Sequence, residues 1–511
     1  MYVLTKSNMR QAEEFAHEHR GLSFYSMMDM AGSKSAAYIA ARENPDARVC
    51  VLCGKGKNGG DGIVVATRLW QSGFKRVYVV LVDGKVRDEL AYKMYKELTK
   101  TPIGVIDYTD NPVGCLHLVE NAEVLIDAIF GIGFSGELAG GAADLVITAN
   151  LNRTAHKYAI DIPSGLAASD TDTDRLAFET DVTLTMIAYK PVNVVKPAAN
   201  RCGKTQVINI GLQSEDVEQF AEPYVVFTPE EARRALGVRP YDANKGTYGK
   251  LLLLAGSREF SGCVTLASRG AVEAGAGLVT AAFPASLYDV VASKLNEPVY
   301  LPLPDDGNGH LTEEAAEVLT QALPKYTVVA AGCGLGNTPA VKALTKKLLE
   351  ICEMPLILDA DALNAIADEP ALLKTARCPV LITPHPGEMG RLTGLTPAQV
   401  NENRMQTASE FAKKYGVTVL LKGANSVVAD PDGRIALNPT GNPGMSRGGS
   451  GDVLTGIIGA CVPQTKDLFT AARVAAYLHG GAADEAAAST GILSATPTRI
   501  LDHFHDFLKQ I

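Results

Sequence analysis

The sequence predicts an α/β protein of two three-layer domains, each with a mostly parallel β-sheet covered by helices on both faces. Short aliphatic and β-branched runs alternate with longer helical patterns along the whole chain. Nearly continuous apolar strands of this kind are typical of parallel sheets that are buried on both faces. The 511 residues also exceed the size of one ordinary hydrophobic core, and the two halves share no obvious repeat. The chain is therefore predicted to be a fusion of two different domains.

The predicted strands follow the apolar runs in order. In the first half they are Val49–Cys53, Val77–Val82, Val124–Asp127, Tyr158–Asp161 and Val182–Met186. In the second half they are Leu251–Ala255, Val279–Ala282, Val328–Ala331, Leu356–Asp359, Val380–Thr383 and Val417–Lys422. An acidic stretch without a strand pattern begins at Ser214, and Thr228 followed by Pro229 resembles a capped helix start. We predict domains at residues 1–214 and 228–511, joined by a linker at 215–227.

Composition narrows the class of protein. The formal net charge of −9 argues against nucleic acid or an anionic membrane as the main partner. No segment has the apolar length of a signal sequence or a membrane span, so the cytoplasm is the expected location. Of the nine cysteines, Cys50 and Cys53 alone form a C-x-x-C motif. Because both lie inside a predicted strand, a redox or zinc site there is not favoured.

The most informative segment of the second half runs from Asn438 to Asp452. Gly448, Gly449, Ser450 and Gly451 offer backbone N–H groups directly before an apolar helical pattern. A glycine-rich turn that opens a helix binds anions, because unpaired N–H groups and the helix dipole both point at the ligand. A carboxylate at Asp452 could then take a proton from an attacking hydroxyl. The alternative is a plain turn in which Asp452 caps the helix.

Three polar motifs in the first half follow predicted strands. They are Gly54–Gly62, Asp127–Glu137 and Asp161–Leu166. Ligands of parallel sheets gather at the carboxyl ends of strands, so these motifs are expected to meet in one crevice. Carboxylates from two strand ends and an Asn could bind a cation through oxygen, although both carboxylates could instead cap loops. The spacing of the first glycine motif does not fit a dinucleotide fingerprint.

The first half resembles the NAD(P)H-hydrate epimerases, which implies a Rossmann-like domain. Gly54–Gly62 is similar to the G-x-G-x-N-G-G-D-G loop of that family. Asp127–Gly133 resembles its D-A-x-F-G-x-G motif, and Asp161–Leu166 matches D-I-P-S-G-L. The helical stretch Met27–Gly32 is similar to its M-E-x-A-G segment.

The second half resembles the ADP/ATP-dependent NAD(P)H-hydrate dehydratases, which have a ribokinase-like fold. The matching segments occur in the family's order: Lys245–Gly249, Gly256-Ser257, Gly275–Leu278, Leu358–Asn364, Thr383–Met389, Leu421–Gly423 and the loop that ends at Asp452. Together the two resemblances cover nearly the whole chain. They imply a bifunctional repair of nicotinamide cofactors that have been damaged by hydration.

The resemblance implies two linked reactions. The second domain would move a phosphoryl group from ADP or ATP to the 6-hydroxyl of hydrated NADH or NADPH, and phosphate would then leave. The first domain would interconvert the R and S hydrates, since the dehydratase accepts the S form. K⁺ would bind in the epimerase domain, and Mg²⁺ would act with the nucleotide in the dehydratase domain.

The resemblance also implies the site residues. Asp452 and Asp161 would be catalytic. The epimerase substrate would contact Lys57, Asn58, Gly59, Gly60, Asp61, Gly131, Ile132, Gly133, Phe134, Ser135, Gly136, Glu137 and Asp161. The dehydratase substrate would contact Cys263, Gly334, His385 and Asp452. The nucleotide would bind Lys422, Gly423, Ala424, Asn425, Ser426, Gly448, Gly449, Ser450 and Gly451, and K⁺ would bind Asn58, Asp127 and Ser164.

Two other functions use part of the same pattern. A ribokinase-like small-molecule kinase would need the glycine-rich loop and Asp452 but not the first domain. Alternatively, the first half is a non-catalytic ligand-binding scaffold, although a scaffold would not require Asn58, Asp61, Asp127 and Asp161 together. The epimerase and dehydratase families also lead us to expect a homo-oligomer, a tetramer or larger.

Overall fold

Two sheets organise the two halves of the chain. The computed structural model describes residues 1–170 and 175–511, and it divides the chain into the units Met1–Glu222 and Pro223–Ile511. No helix in these described ranges is both long enough and apolar enough to cross a membrane.

The first unit contains eight described α-helices and seven described strands. In chain order they are α1 (Lys6–Arg20), α2 (Phe24–Ala40), β1 (Arg48–Cys53), α3 (Lys57–Gln71), β2 (Arg76–Leu81), α4 (Glu89–Leu98), β3 (Gly104–Asp107), α5 (Pro112–Glu120), β4 (Val124–Ala128), α6 (Gly140–Leu151), β5 (His156–Ile160), β6 (Val182–Met186), α7 (Pro191–Val194), β7 (Lys204–Ile208) and α8 (Ser214–Glu218).

All neighbouring strands of the first sheet are parallel, in the order β3-β2-β1-β4-β5-β6-β7. Alternate side chains of β1 enter different cores, because successive residues of a strand point to opposite faces. Val49 and Val51 pack in one buried cluster, whereas Cys50 and Leu52 pack in another. Burial on both faces explains why this strand is apolar throughout.

The second unit contains the remaining elements. They are β8 (Val225–Val226), α9 (Pro229–Leu236), β9 (Lys250–Leu254), α10 (Ser261–Glu273), β10 (Leu278–Pro284), α11 (Tyr288–Ala292), β11 (Val299–Leu303), α12 (Ala315–Ala322), β12 (Val328–Ala331), α13 (Pro339–Ile351), β13 (Leu356–Leu358), α14 (Ala360–Ala365), β14 (Val380–Ile382), α15 (Pro386–Thr393), α16 (Pro397–Glu402), α17 (Arg404–Tyr415), β15 (Thr418–Leu421), β16 (Val427–Ala429), β17 (Ile435–Leu437), α18 (Ser450–Thr465), α19 (Leu468–Thr490), α20 (Pro497–Asp502) and α21 (Phe504–Leu508).

The second sheet has ten strands in the order β11-β10-β9-β12-β13-β14-β15-β16-β17-β8. Its strands are parallel from β11 to β15, and the β15–β16 and β16–β17 pairs are antiparallel. The predicted α/β class with mostly parallel sheets is therefore confirmed in both halves.

The strands that the sequence did not predict lie mainly toward the sheet edges. They are β3, β7, β8, β11, β16 and β17. An edge strand has a neighbour on one side and is less fully covered, so it carries fewer apolar residues: β7 reads Lys-Thr-Gln-Val-Ile and is mostly half-buried. The segment predicted as a linker contains all of α8 except Ser214, and it contains β8, which pairs with β17 of the second sheet.

The predicted helix start at Thr228 is confirmed. The Thr228 side chain accepts a hydrogen bond from the Glu231 backbone N–H, and the Glu231 carboxylate accepts one from the Thr228 N–H at 2.9 Å. Pro229 follows the cap, where its missing N–H costs no helical hydrogen bond.

Candidate active sites

The crevice of the first unit lies where the strand order reverses, between β1 and β4. Loops that leave two such strands diverge to opposite faces of the sheet and leave room for a ligand. Helix α3 begins at Lys57, so Asn58 lies in its first turn and Asp61 at the start of the second, where the sequence analysis had placed a loop. Backbone N–H groups at this helix start remain available to a ligand.

Asp161 lies on the carboxyl side of β5 with a backbone φ of 70°. The predicted strand included this residue, but the structure ends β5 at Ile160, because a left-handed conformation does not continue a strand. One Asp161 carboxylate oxygen accepts a hydrogen bond from the Ile132 N–H at 2.9 Å. A side chain on Gly131 would come within about 3 Å of both Asp161 and Asn58, which places these three residues side by side.

Lys190 holds the other oxygen of Asp161. Its ammonium donates hydrogen bonds to Asp161 Oδ1 at 2.8 Å, to Thr185 Oγ1 at 2.7 Å and to the Met186 carbonyl at 2.8 Å. The lysine side chain is fully buried, and 10% of the Asp161 side chain is exposed. This pair holds the carboxylate in a fixed position. The sequence analysis missed Lys190, and the one signal was its position before Pro191, just beyond a strand.

We expect Lys190→Met to reduce epimerisation at least tenfold by freeing the Asp161 carboxylate from its position. The variant also leaves a buried carboxylate without its cation, and breaking such a pair costs about 3–5 kcal/mol of folding stability. Chiral chromatography of the two hydrates measures the rate, and calorimetry measures stability. Dehydration of the S hydrate by the same variant serves as the internal control. Epimerisation at the wild-type rate would exclude a positioning role for Lys190.

Two further carboxyl groups surround Asp161. Burial raises the pKa of Asp61 well above its usual value, and the negative charges of Asp161 and Glu13 add to the shift, while Lys57 opposes it. Burial also raises the pKa of Glu13, against the opposing charge of Lys57. Glu13 projects from α1, a helix to which the sequence analysis assigned no role. The crevice thus combines acidic groups that resist ionisation with two lysines.

Asp127 is buried at the end of β4 and connects the second and third motifs. Ser164 donates to it through its backbone N–H at 2.7 Å and through its hydroxyl at 2.6 Å, and the Ile129 N–H donates at 3.1 Å. Burial raises the pKa of Asp127 to about 6 against these hydrogen bonds. In the described part of the chain, the buried amide nitrogen of Asn58 has no hydrogen-bond partner.

The loop that follows Gly131 borders the same crevice and is mostly exposed from Gly133 to Glu137. Phe134 packs against Phe130 with ring centroids 4.8 Å apart. Lys6 of α1 donates a hydrogen bond to the Gly133 carbonyl at 3.0 Å. The ammonium of Lys57 lies 5.1 Å from the centre of the Phe24 ring.

The candidate anion site of the second unit is the start of α18. Gly449 is the N-cap with φ 94°, a conformation that favours glycine, and the helix begins at Ser450. Asp452 therefore lies in the first turn. Burial raises its pKa, and the thiols of Cys263 and Cys333 oppose the shift by hydrogen bonding to it. A side chain on Gly334 would come within 2.7 Å of Cys263 Sγ, so Gly334, Cys263 and Asp452 form one cluster.

Lys422 stands between this helix start and two carboxylates. Its ammonium lies 2.6 Å from Asp359 Oδ1 and 3.8 Å from Glu388 Oε2. Asp359 Oδ2 also accepts a hydrogen bond from the Thr455 hydroxyl at 2.7 Å. A side chain on Gly451 would lie 3.4 Å from the Lys422 ammonium. The sequence analysis assigned no role to Asp359, Glu388 or Thr455, although Asp359 ends a predicted strand and both acidic residues lie in motifs that resemble the dehydratase family.

His385, which the sequence analysis expected at the substrate, also caps a helix. It caps α15: its Nδ1 accepts hydrogen bonds from the N–H groups of Gly387 at 3.0 Å and Glu388 at 3.4 Å. Because Nδ1 accepts, the neutral ring carries its proton on Nε2, which lies 3.4 Å from Glu388 Oε1. About half of the side chain is exposed, so this proton can reach a ligand.

The segment 422–426 turns sharply after β15. Gly423 has φ 151° and Asn425 has φ 52°. The Asn425 amide donates to the Asn438 carbonyl at 3.1 Å, and the Ser426 hydroxyl donates to the Gly423 carbonyl at 3.3 Å. The side chain of Asn425 thus links this segment to the chain that leads into the glycine-rich loop.

The C-x-x-C motif lies within β1, as the sequence analysis expected. Cys50 and Cys53 are buried and free, and burial raises the pKa of Cys50 to about 12. The thiol of Cys53 is shifted in the same direction by burial.

Both halves match known protein families. Residues 251–505 match the family model described as NAD(P)H-hydrate dehydratase, and residues 25–192 match that of the YjeF-related protein N-terminus. The bifunctional NAD(P)H-hydrate repair enzyme of Moorella thermoacetica is 36% identical over 526 aligned residues, covering 100% of this chain and 97% of that protein. The enzyme of the same name from Escherichia coli is 33% identical, covering 95% and 89%.

A solved structure agrees with the second half. The ADP/ATP-dependent NAD(P)H-hydrate dehydratase of Bacillus subtilis, co-crystallised with ATP and Mg²⁺, is 31% identical with a TM-score of 0.50. The match covers 57% of this chain and 99% of that one. From these full-length similarities and the two sites, the chain belongs to the family of bifunctional NAD(P)H-hydrate repair enzymes.

Proposed function

We propose that this protein repairs hydrated NADH and NADPH in two steps, one in each domain. The observation that carries the proposal is the presence in one chain of the Asp161–Lys190 crevice and the glycine-started helix with Asp452 in its first turn. We take the domains as 1–214 and 228–511. A kinase with a passive first domain is less favoured, because a passive domain would not need a buried ion pair directed into a crevice.

Epimerisation begins with Asp161 as a base. Its hydrogen bond with Lys190 holds the carboxylate in place, where it would accept the proton of the 6-hydroxyl. The bond between C6 and the ring nitrogen then breaks, which leaves an aldehyde at C6, and the negative charge on nitrogen delocalises into the carboxamide. Rotation exposes the other face of the aldehyde, the nitrogen adds again, and Asp161 returns the proton. Residues 57–61 and 131–137 would hold the substrate during this exchange.

Dehydration begins with Asp452 as a base. It takes the proton of the 6-hydroxyl while the oxygen attacks the terminal phosphoryl group of ADP or ATP. The backbone N–H groups of 448–451 and the ammonium of Lys422 would stabilise the transferring group. The ring nitrogen then expels phosphate from C6, and loss of a proton from C5 restores the reduced ring. Cys263, Gly334 and His385 would contact the nicotinamide part, and residues 422–426 the nucleotide.

The oxygen donors of the first crevice fit a potassium ion. Asn58, Asp127 and Ser164 offer an amide oxygen, a carboxylate and a hydroxyl, the ligand types that hard cations prefer, and Asp127 and Ser164 are in direct contact. Bound K⁺ would stiffen the loops around the substrate.

In the second unit, Asp359 and Glu388 are the carboxylates closest to Lys422, and they could hold Mg²⁺ that accompanies the nucleotide.

We propose that the protein is located in the cytoplasm. We also propose that it forms a homo-oligomer, a tetramer or larger.

Incubation with a mixture of R and S hydrates tests the function. With ADP or ATP, we expect the whole mixture to be converted to NADH or NADPH, and without a nucleotide we expect only interconversion of the hydrates. Replacing KCl by NaCl should slow the interconversion. If the protein instead phosphorylates a small-molecule alcohol, such as a vitamin precursor, and does not act on the hydrates, it is a small-molecule kinase.

The raised pKa of Asp452 sets the pH dependence of dehydration. The charged form is the base, so acidification removes activity, and the shift moves this loss to higher pH than the usual Asp value of 3.8. We expect kcat/KM for the S hydrate, which reports the pKa of the free enzyme, to fall below its plateau at a midpoint above pH 3.8. Stopped assays with the folded state followed by circular dichroism measure this. A flat kcat/KM down to the ordinary Asp pKa would contradict the assignment.

A further inference from the structure

Arg404, the first residue of α17, lies against the segment 422–426. Its guanidinium donates hydrogen bonds to the Asn401 side chain at 3.1 Å and to the carbonyl of Leu421 at 3.0 Å. A side chain on Gly423 would come within 2.6–2.9 Å of the guanidinium. The arginine therefore occupies the space beside Gly423 and fixes the course of the chain after β15.

The charge of Arg404 has no counterion. Among residues 1–170 and 175–511, no carboxylate forms an ion pair with it, and its buried Nε has no hydrogen-bond partner. Burial lowers the pKa of Arg404 to about 10, with no opposing contribution from an acidic group. Arg434 shows the contrast, because Asp430 and Asp467 pair with it. A partly buried cation without a partner is unfavourable until an anion arrives.

The neighbouring cation cannot supply the same charge. Lys422 is 2.6 Å from Asp359, so the positive charge of the lysine is largely neutralised before any ligand binds. Arg404 is therefore the source of uncompensated positive charge at the turn 422–426. An anion held at this turn would restore the balance.

We propose that Arg404 is a positioning residue for the phosphate chain of the bound nucleotide. It holds the Leu421–Gly423 backbone in place and attracts the phosphates through its unpaired charge. This inference rests on the proposed nucleotide site and extends it to a residue outside the segment 422–426. Affinity should then depend on the number of phosphate charges on the ligand.

Calorimetric titration of the full chain with adenosine, AMP, ADP and ATP tests the proposal. We expect Arg404→Gln to lower the affinity for ADP and ATP by about tenfold and the affinity for AMP by less. The affinity for adenosine should not change. Arg404→Lys keeps the charge and should recover most of the affinity. Arg377→Gln removes the same charge at an exposed position before the amino end of β14, whereas the segment 422–426 follows the carboxyl end of β15, and it should have no effect. Equal weakening of all four ligands, or none, would overturn the proposal.

Turnover separates this inference from the proposed function. If the wild-type enzyme dehydrates the S hydrate with ADP, the Arg404→Gln variant should have a higher KM for ADP and a nearly unchanged kcat. A wild-type enzyme without this activity would reject the proposed function, and the nucleotide titrations would still decide the role of Arg404. Thermal unfolding of each variant, followed by calorimetry and compared with the wild type, reports whether the second unit has folded. An unchanged KM for ADP in an active, folded variant would refute the role of Arg404.

Discussion

Replacement of Asp452 by Asn is expected to reduce ADP-dependent dehydration by at least a hundredfold. The amide keeps the shape of the carboxylate but cannot accept the hydroxyl proton, and loss of a general base typically costs about 10²–10⁴ in rate. Misalignment of the phosphoryl acceptor would add to this loss. Formation of NADH from the pure S hydrate, followed at 340 nm, measures the effect.

The other domain provides the control for Asp452→Asn. Epimerisation should continue at the wild-type rate, because Asp161 and Lys190 belong to the first unit. A Cys263→Ser variant tests the surroundings of the base without removing it, and we expect it to lose much less activity. Recovery of NADH by Asp452→Asn at the wild-type rate would remove Asp452 from the mechanism.

Replacement of Asp161 by Asn is expected to abolish conversion of R to S hydrate. Asn tolerates the left-handed backbone that Asp161 adopts, so the substitution removes the base without straining the chain. In a mixture of both hydrates, the variant should consume the S portion with ADP and then slow to the rate of spontaneous epimerisation. Addition of a separate, active epimerase should restore full turnover.

The buried lysine determines the control for Asp161→Asn. The single substitution leaves Lys190 without its counterion, so a folding defect must be separated from a catalytic one. The double variant Asp161→Asn/Lys190→Met removes both charges, and we expect it to regain stability but not epimerisation. Consumption of the whole mixture at the wild-type rate by either folded variant would contradict the role of Asp161.

Apolar periodicity predicted the fold class well because the central strands are buried on both faces. All eleven predicted strands overlap strands of the structure, with small differences at their ends. The unpredicted ones are edge or near-edge strands, such as β7, whose polar residues face partly covered surfaces. Among them, β8 has two residues and pairs with β17, which is distant in sequence, so local composition does not record its neighbour.

The glycine-rich motifs could be recognised from the sequence because the residues that act together are contiguous in the chain. Gly448–Asp452 combines free N–H groups, a helix start and a carboxylate within five residues, so the segment alone indicates an anion site with a base. The motif at Asp161 was visible for the same reason. Its left-handed backbone was not, because that conformation depends on the contacts that surround the strand end.

The sequence by itself determined the two-domain α/β class, the position of the strand-end motifs and the identity of Asp161 and Asp452 as candidate bases. The tertiary structure alone decided which charges meet. Lys190 lies 29 residues from Asp161, Asp359 lies 63 residues from Lys422, and Glu13 reaches the crevice from a helix outside all the motifs. Ion pairing depends on the distance between charges in space, and burial depends on the exclusion of water. These distances and this exclusion of water arise only when segments that are remote in sequence pack together.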